Sequence, residues 1–301
     1  MAVDVTPRAP LPITAVVTAY ERASQAIDTL RRIASCVPPP AEILVHVDGA
    51  ERQCTEAIQA ARPDVRVLMS DGRVGPGGAR NRLIAEAAHP IVASFDDDSY
   101  PIDSDYFSRL TAVFEQFPDA SVVDAQVQHA REPEPRAVTA ASWVADFTGC
   151  ACAYRRDHFL ETGGYVPLPA AYFMEEVDLA IRLHARGRRV LRTSWLRVHH
   201  DTDLVRHGDP RVTAASIRNI ALLTYLRYPI HLWAIGMAQA ANRIQWLIRH
   251  GRRRGVLAGV LQAPGHLLRY QNYRAVVTAT ALKSYLSLRR QPVDAGWPSA
   301  R

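Results

Sequence analysis

The sequence predicts an α/β protein: a doubly wound, mostly parallel sheet flanked by helices, followed by a helical C-terminal extension. Three observations predict it. Short continuous apolar runs, the pattern of strands buried on both faces, recur between residues 13 and 95. Between them lie helix-spaced stretches long enough for the right-handed crossovers that parallel strands need. Beyond residue 210 the texture changes to long helical patterns.

The run ITAVVT, residues 13–18, is the first strand, and residues 23–35 then place Ile27, Leu30 and Ile33 on one helical face. EILVHVD, residues 42–48, is the second strand and ends on Asp48. A helix over 53–61, a strand over 65–70, a glycine-rich loop, a helix over 77–88 and a strand over 91–95 complete the alternation. In such sheets ligands sit beyond the carboxyl ends of the strands. Asp48 and the run Asp96, Asp97, Asp98 therefore share one rim, which Thr18, Ala19 and Tyr20 reach from the first strand. Residues 131–140 are a proline-punctuated linker, 139–147 predict a helix, and 148–154 a strand with Cys150 and Cys152 on one face. A short helix, a turn at Gly163 and Gly164, and a helix opened by Glu175, Glu176 and Asp178 follow; acid in a first turn suits the helix dipole. Further helices are expected over 211–227 and 231–249, with two more after 256. The chain divides into a sheet domain, 1–205, and a helical region, 206–301.

With 301 residues, 48% of them hydrophobic, the chain can bury a core without covalent staples. Its four cysteines show no paired metal-ligand spacing and follow no secretory signal, so reduced thiols and a cytoplasmic location are expected. The most apolar long segment, residues 230–248, is interrupted by Gln239, Asn242, Arg243 and Gln245 and would not span a bilayer. The net charge of +6 comes from arginine, Lys283 being the only lysine. Basic clusters at 248–255 and 287–292, beside Trp233, Trp246 and Tyr270, suit either peripheral attachment to the inner face of a membrane or a homo-oligomer contact. No nucleic-acid motif accompanies them, and no nucleic-acid partner is expected.

Adjacent aspartates repel one another, so a partly enclosed Asp96, Asp97, Asp98 cluster needs a cation or strong donors nearby. Oxygen ligands at this density suit Mg²⁺ or Mn²⁺. A phosphatase of the haloacid dehalogenase type is excluded, because its acids follow the first strand and need a nearby lysine.

The motifs VVTAYER, ILVHVDGA, GPGGARNRLIAEA, SFDDDSYP, YFMEEVDLAIRL and RVHHD, in that order over residues 13–228, resemble those of family 2 glycosyltransferases of the GT-A fold. The resemblance implies a Rossmann-like nucleotide-binding sheet and an inverting transferase. It moves a sugar from a nucleoside-diphosphate donor, UDP- or dTDP-linked, to a hydroxyl acceptor on a glycan, lipid carrier or small molecule, with Mn²⁺ or Mg²⁺ as cofactor. By resemblance Asp96 contacts the ribose or metal and Asp98 ligates the cation, while Asp97 is either a ligand or a carboxylate bracing the turn. Thr18, Ala19, Tyr20, Glu21 and Arg22 line the donor, Asp48 reads a uracil or thymine ring, and Gly77 lets the backbone approach. Arg80 or Arg73 meets the diphosphate and Asn81 braces the loop. Glu176 is the implied general base with Glu175 as its competitor, and Asp178 is a structural acid. A histidine completes the metal shell, His199 chosen over His200. Trp143 and Tyr172 are candidates for a sugar platform, with core packing the default for Trp143. Two other readings stay open: a basic nucleic-acid-binding protein, and a non-catalytic scaffold that keeps the nucleotide-binding fold.

Overall fold

The structure, a computed structural model, describes residues 9–129, 132–133, 136–170, 174–201 and 209–297. β1 (Leu11–Ala19), α1 (Ala23–Ala34), β2 (Pro40–Val47), α2 (Arg52–Ala61), β3 (Arg66–Met69), α3 (Gly75–Glu86) and β4 (Ile91–Asp96) alternate as the apolar pattern predicts. β1 is buried from Ile13 to Ala19 and mostly apolar because helices cover both its faces, and α1 turns Ala26, Leu30 and Ile33 inward. There follow β5 (Ser99–Pro101), α4 (Tyr106–Gln116), β6 (Ala120–His129), β7 (Ala141–Val144), β8 (Ala151–Arg155), α5 (Arg156–Leu160), α6 (Glu175–Ala185) and β9 (Arg189–His200). The last third holds α7 (Pro210–Arg227), α8 (Trp233–Arg249), α9 (Val256–Arg269), α10 (Ala279–Arg290) and the short β10 (Val293–Asp294). The helix expected over 139–147 is instead strand β7, with Trp143 opposite Leu191 of β9. Backbone pairing on both sides, to β9 and β10, overrides the helix propensity of its alanines.

One sheet runs through the molecule in the order β10, β7, β9, β6, β8, β4, β1, β2, β3, with β5 paired to β9. β3, β2, β1 and β4 are parallel. Their carboxyl ends therefore align, and Thr18 sits opposite Asp96. β8 runs antiparallel to β4, with Ala151 opposite Phe95, so the residue before β8 arrives at the end of β4. A register shift in the β6 and β9 pairing bends β9 and carries His199 and His200 alongside β5.

Two apolar cores cover the two sheet faces. One packs α1, α2 and α4 through Leu30, Ile58 and Leu110; the other packs α3 and α6 through Leu83 and Leu179. Leu222, Leu226, Leu282 and Tyr285 belong to that second core, so α7 and α10 share it with the sheet. The expected domain boundary at 205 lies outside the described residues. Among the described residues no helix is long and apolar enough to cross a membrane.

A buried ion network joins α6 to the C-terminal helices. Asp178, fully buried, accepts from Arg182 Nη2 at 2.7 Å and from Arg227 Nε at 2.5 Å. Arg227 also donates to the Tyr273 carbonyl at 2.7 Å. Breaking a buried pair strands a charge away from water. Arg227→Met should therefore lower the unfolding free energy in urea by about 3–5 kcal/mol. Arg32→Met, which breaks the exposed Arg32–Asp28 pair, should lower it by no more than about 0.5 kcal/mol. Equal effects from the two would show that the Asp178 network carries no special share of stability.

Candidate functional site

The site is built where β1, β2 and β4 end. The Thr18 hydroxyl donates to Asp96 Oδ1 at 2.9 Å, as their register requires. Arg80 Nη2 donates to the same oxygen at 2.5 Å while its Nε donates to Ser94 Oγ at 2.9 Å. Ser94 in turn donates to the Gly149 carbonyl at 2.9 Å. Arg80 is only 2% exposed, so its guanidinium lies under the rim with Asp96 as its counter-ion.

A second guanidinium holds the other two aspartates. Glu21, exposed, adopts a left-handed φ of 58°, and Arg22 follows it across the rim. Arg22 Nε donates to Asp97 Oδ2 at 3.1 Å, its Nη2 pairs with the other Asp97 oxygen, and its Nη1 reaches Asp98 Oδ2 at 2.7 Å. Burial pushes Asp97 up to about 7, against the pull of Arg22 and with Asp98 and Asp96 adding to the rise. Burial acts on Asp98 too, but hydrogen bonds from His200 and Arg22 draw it down to about 2.

His200 Nε2 stands 3.3 Å from Asp98 Oδ1, and its Nδ1 stands 3.6 Å from Cys150 Sγ. His199, on the opposite face of the strand, stacks on Tyr100 with ring centroids 5.0 Å apart. The choice of His199 over His200 is thus corrected: neighbours on a strand face opposite ways, and His200 faces the acids. Asp96, Cys150 and His200 bring one donor atom each within 4.8 Å of one another. Carboxylate and imidazole suit a divalent cation, so Asp96 and His200 can hold the kind of ion that the resemblance implies.

α6 adds the glutamates. Glu175 is 3% exposed and lies against Gly77, where a Cβ would come within 2.8 Å of its Oε1; only glycine leaves that space. Among the described residues Glu175 Oε1 has no hydrogen-bond partner, and burial, with Glu176 beside it, holds this carboxyl well above the usual range. Glu176 is half-buried and lies against Gly149, as does the Arg80 guanidinium. Burial raises its pKa too, opposed by Arg80. Asp178 faces away, into the α7 network.

Other expected contacts have internal partners. Asp48 accepts from the Val74 and Gly75 N–H groups at 2.8 and 3.0 Å and clasps the loop before α3. The Ala19 carbonyl accepts from Asp48 N at 2.9 Å, Gly77 makes room for Glu175, and Arg22 and Arg80 hold the aspartates. Tyr20 carries Arg73 over its ring at 4.0 Å. Asn81 Oδ1 accepts from Tyr165 N at 2.7 Å and so braces the loop near Gly164. Trp143 is buried, under Arg189 and against Phe117, in the core; Tyr172 lies outside the described residues. Sequence reasoning missed Ser94, Ser99 and Cys150. The antiparallel register that delivers Cys150 opposite the end of β4 has no sequence signal.

The fold and this rim define a GT-A glycosyltransferase architecture. The model of the family described as glycosyltransferase like family 2 matches residues 9–159, half of the chain, and the chain belongs to that family. No curated protein matches. Among solved structures, the mannosyltransferase PcManGT from Pyrobaculum calidifontis, in complex with GDP-Man and Mn²⁺, is 18% identical with a TM-score of 0.57, covering 96% of this chain and 89% of that one. GalNAc-T7 with UDP, GalNAc and Mn²⁺ is 15% identical with a TM-score of 0.56; 73% of this chain is covered, but it spans only 48% of the GalNAc-T7 chain. S. aureus TarS 1–349 in complex with UDP-GlcNAc is 13% identical with a TM-score of 0.52, over 91% of both chains. At these identities the likeness is one of fold.

The depressed Asp98 pKa has a testable consequence. A carboxylate held at about 2 in the folded chain, against about 3.9 when unfolded, contributes stability above about pH 4 that is lost as pH falls toward 2. The melting temperature of Asp98→Asn should therefore lie furthest below wild type above about pH 4, with the gap closing as pH falls toward 2. A gap that stays constant across that range would show that Asp98 carries no such linkage.

Proposed function

We propose that this chain transfers a sugar, with inversion at the anomeric carbon, from a nucleoside-diphosphate donor to a hydroxyl acceptor, UDP- and dTDP-sugars being favoured. The observation that carries the reading is Glu176: a half-buried carboxylate that lies against Gly149, as does the Arg80 guanidinium that grips Asp96 at the ends of the parallel strands. Inversion needs a base on the side of the anomeric carbon opposite the leaving group. The acceptor oxygen bonds to that carbon as the bond to the diphosphate breaks, and the hydroxyl proton passes to a Glu176 carboxylate oxygen. Burial has raised the proton affinity of Glu176, which suits it to accept near neutral pH. A divalent cation held by Asp96 and His200, the latter oriented by Asp98, would supply Lewis-acid neutralisation of the departing diphosphate.

The remaining residues position these groups. Arg80 and Thr18 fix Asp96; Arg22 fixes Asp97, which braces the turn, and Asp98. Asp48 Oδ2 accepts from Gly75 N, and its second lone pair supports a pyrimidine donor, whose ring N–H it would accept. α9 exposes Leu257, Leu261 and Leu268 on one face, with Arg253, Arg254 and Arg269 exposed nearby. That surface supports a lipid-linked acceptor met at the cytoplasmic face of an anionic membrane.

The test offers the protein UDP-, dTDP- and GDP-sugars with Mn²⁺, together with free or lipid-linked hydroxyl acceptors, and follows nucleotide release. Release from the pyrimidine donors, raised by the lipid-linked acceptor, is expected; release from none of them sinks the reading. Glu176→Gln should keep donor affinity and lose at least about 10²-fold in kcat, the scale of general-base catalysis. Glu175→Gln, whose native carboxyl already favours the neutral form, should lose far less. The reverse ranking would move the base to Glu175.

A further inference from the structure

Cys150 precedes β8 and lies at the acidic rim through strand register alone, Ala151 pairing with Phe95 one residue before Asp96. It is 5% exposed, and its carbonyl is fixed by the Ser99 hydroxyl at 2.8 Å. Its Sγ lies 3.6 Å from His200 Nδ1, inside the same 4.8 Å cluster as an Asp96 oxygen. The expectation that Cys150 and Cys152 share a face does not hold: Cys150 belongs to the core on the α1 side and Cys152 to the core on the α3 side. Cys152 bonds instead to the Tyr154 hydroxyl at 3.0 Å.

Sulfur, nitrogen and oxygen converging from three separate strands or strand ends form a three-ligand set with half-exposed Asp96 and His200 on its open side. Three protein ligands with a fourth position free is the arrangement of catalytic rather than structural zinc sites. A thiolate changes which ion such a set prefers. Mg²⁺ takes oxygen ligands in near-ideal octahedra, whereas sulfur favours softer ions.

We propose that Cys150 is a ligand of the rim's cation site, and that with Asp96 and His200 it selects a thiophilic divalent cation such as Zn²⁺ or Co²⁺ over Mg²⁺. This rests on the reading that the rim takes a divalent cation. On binding, the S–H bond breaks, a metal–sulfur bond forms and the proton leaves to solvent. The Cys150 sulfur then neutralises one cation charge, and the open side of the site remains for a diphosphate oxygen.

X-ray absorption of the zinc-loaded wild-type protein tests this without a variant: one sulfur at about 2.3 Å with nitrogen and oxygen at about 2.0–2.2 Å is expected. Co²⁺ titrations supply the second readout, a thiolate-to-cobalt charge-transfer band. Cys150→Ser should abolish that band and weaken Co²⁺ binding at least about tenfold, the lower end of what even outer-shell partners contribute. Cys54→Ser, on α2, should keep the band. Zinc bound through nitrogen and oxygen alone, or a band that survives Cys150→Ser, would overturn Cys150 as a ligand and leave the divalent-cation reading standing. Failure of Zn²⁺, Co²⁺ and Mn²⁺ alike to bind the wild-type protein would overturn both.

Discussion

The Arg80 guanidinium beneath Asp96 is the interaction on which the site depends. Removing a guanidinium from water costs several kcal/mol unless a carboxylate and further acceptors receive its protons. Asp96 and Ser94 do so, and Gly149 lies against the same group. One buried cation thus fixes the end of β4 and the turn before β8. Arg22 does the same for Asp97 and Asp98 from the other side of the rim.

The acids would otherwise repel one another out of register. The fold answers the repulsion with guanidiniums drawn from α3 and from the turn before α1, so the carboxylates are aimed before any ligand arrives. The supporting shell extends further. Asp178, on the far side of α6 from the rim, is gripped by Arg182 and Arg227, and Arg227 also ties down the carbonyls of residues 273 and 275. The C-terminal helices therefore hold the helix that presents Glu176, which gives them a share in the site without contributing an acid to it.

The first half of the fold was legible because burial on both sheet faces writes itself as unbroken apolar runs, as in β1, β2 and β4. The alternation read from the sequence nonetheless omits α4 and β6, and it makes a helix of β7. In β7 a short alanine-containing segment is decided by its neighbours β9 and β10, which no local pattern records. In the site, Asp96, Asp98 and Glu176 are the candidates that motif order and strand ends single out. His200 was not separable from His199, because side-chain parity near the end of β9 depends on the register shift upstream. The partners of Arg22 and Arg80 were not legible for a related reason: a guanidinium that will be buried under a carboxylate looks in sequence like one that reaches for phosphate. Cys150 became visible only when β8 was seen to run against β4.

The most direct measurement is anomalous diffraction from crystals grown with Mn²⁺ and UDP. The account predicts a manganese peak in contact with Asp96 and His200, on the Arg80 side of the rim, with the diphosphate at the carboxyl ends of β1 and β4. A peak away from these residues, or a nucleotide seated elsewhere on the sheet, would contradict it.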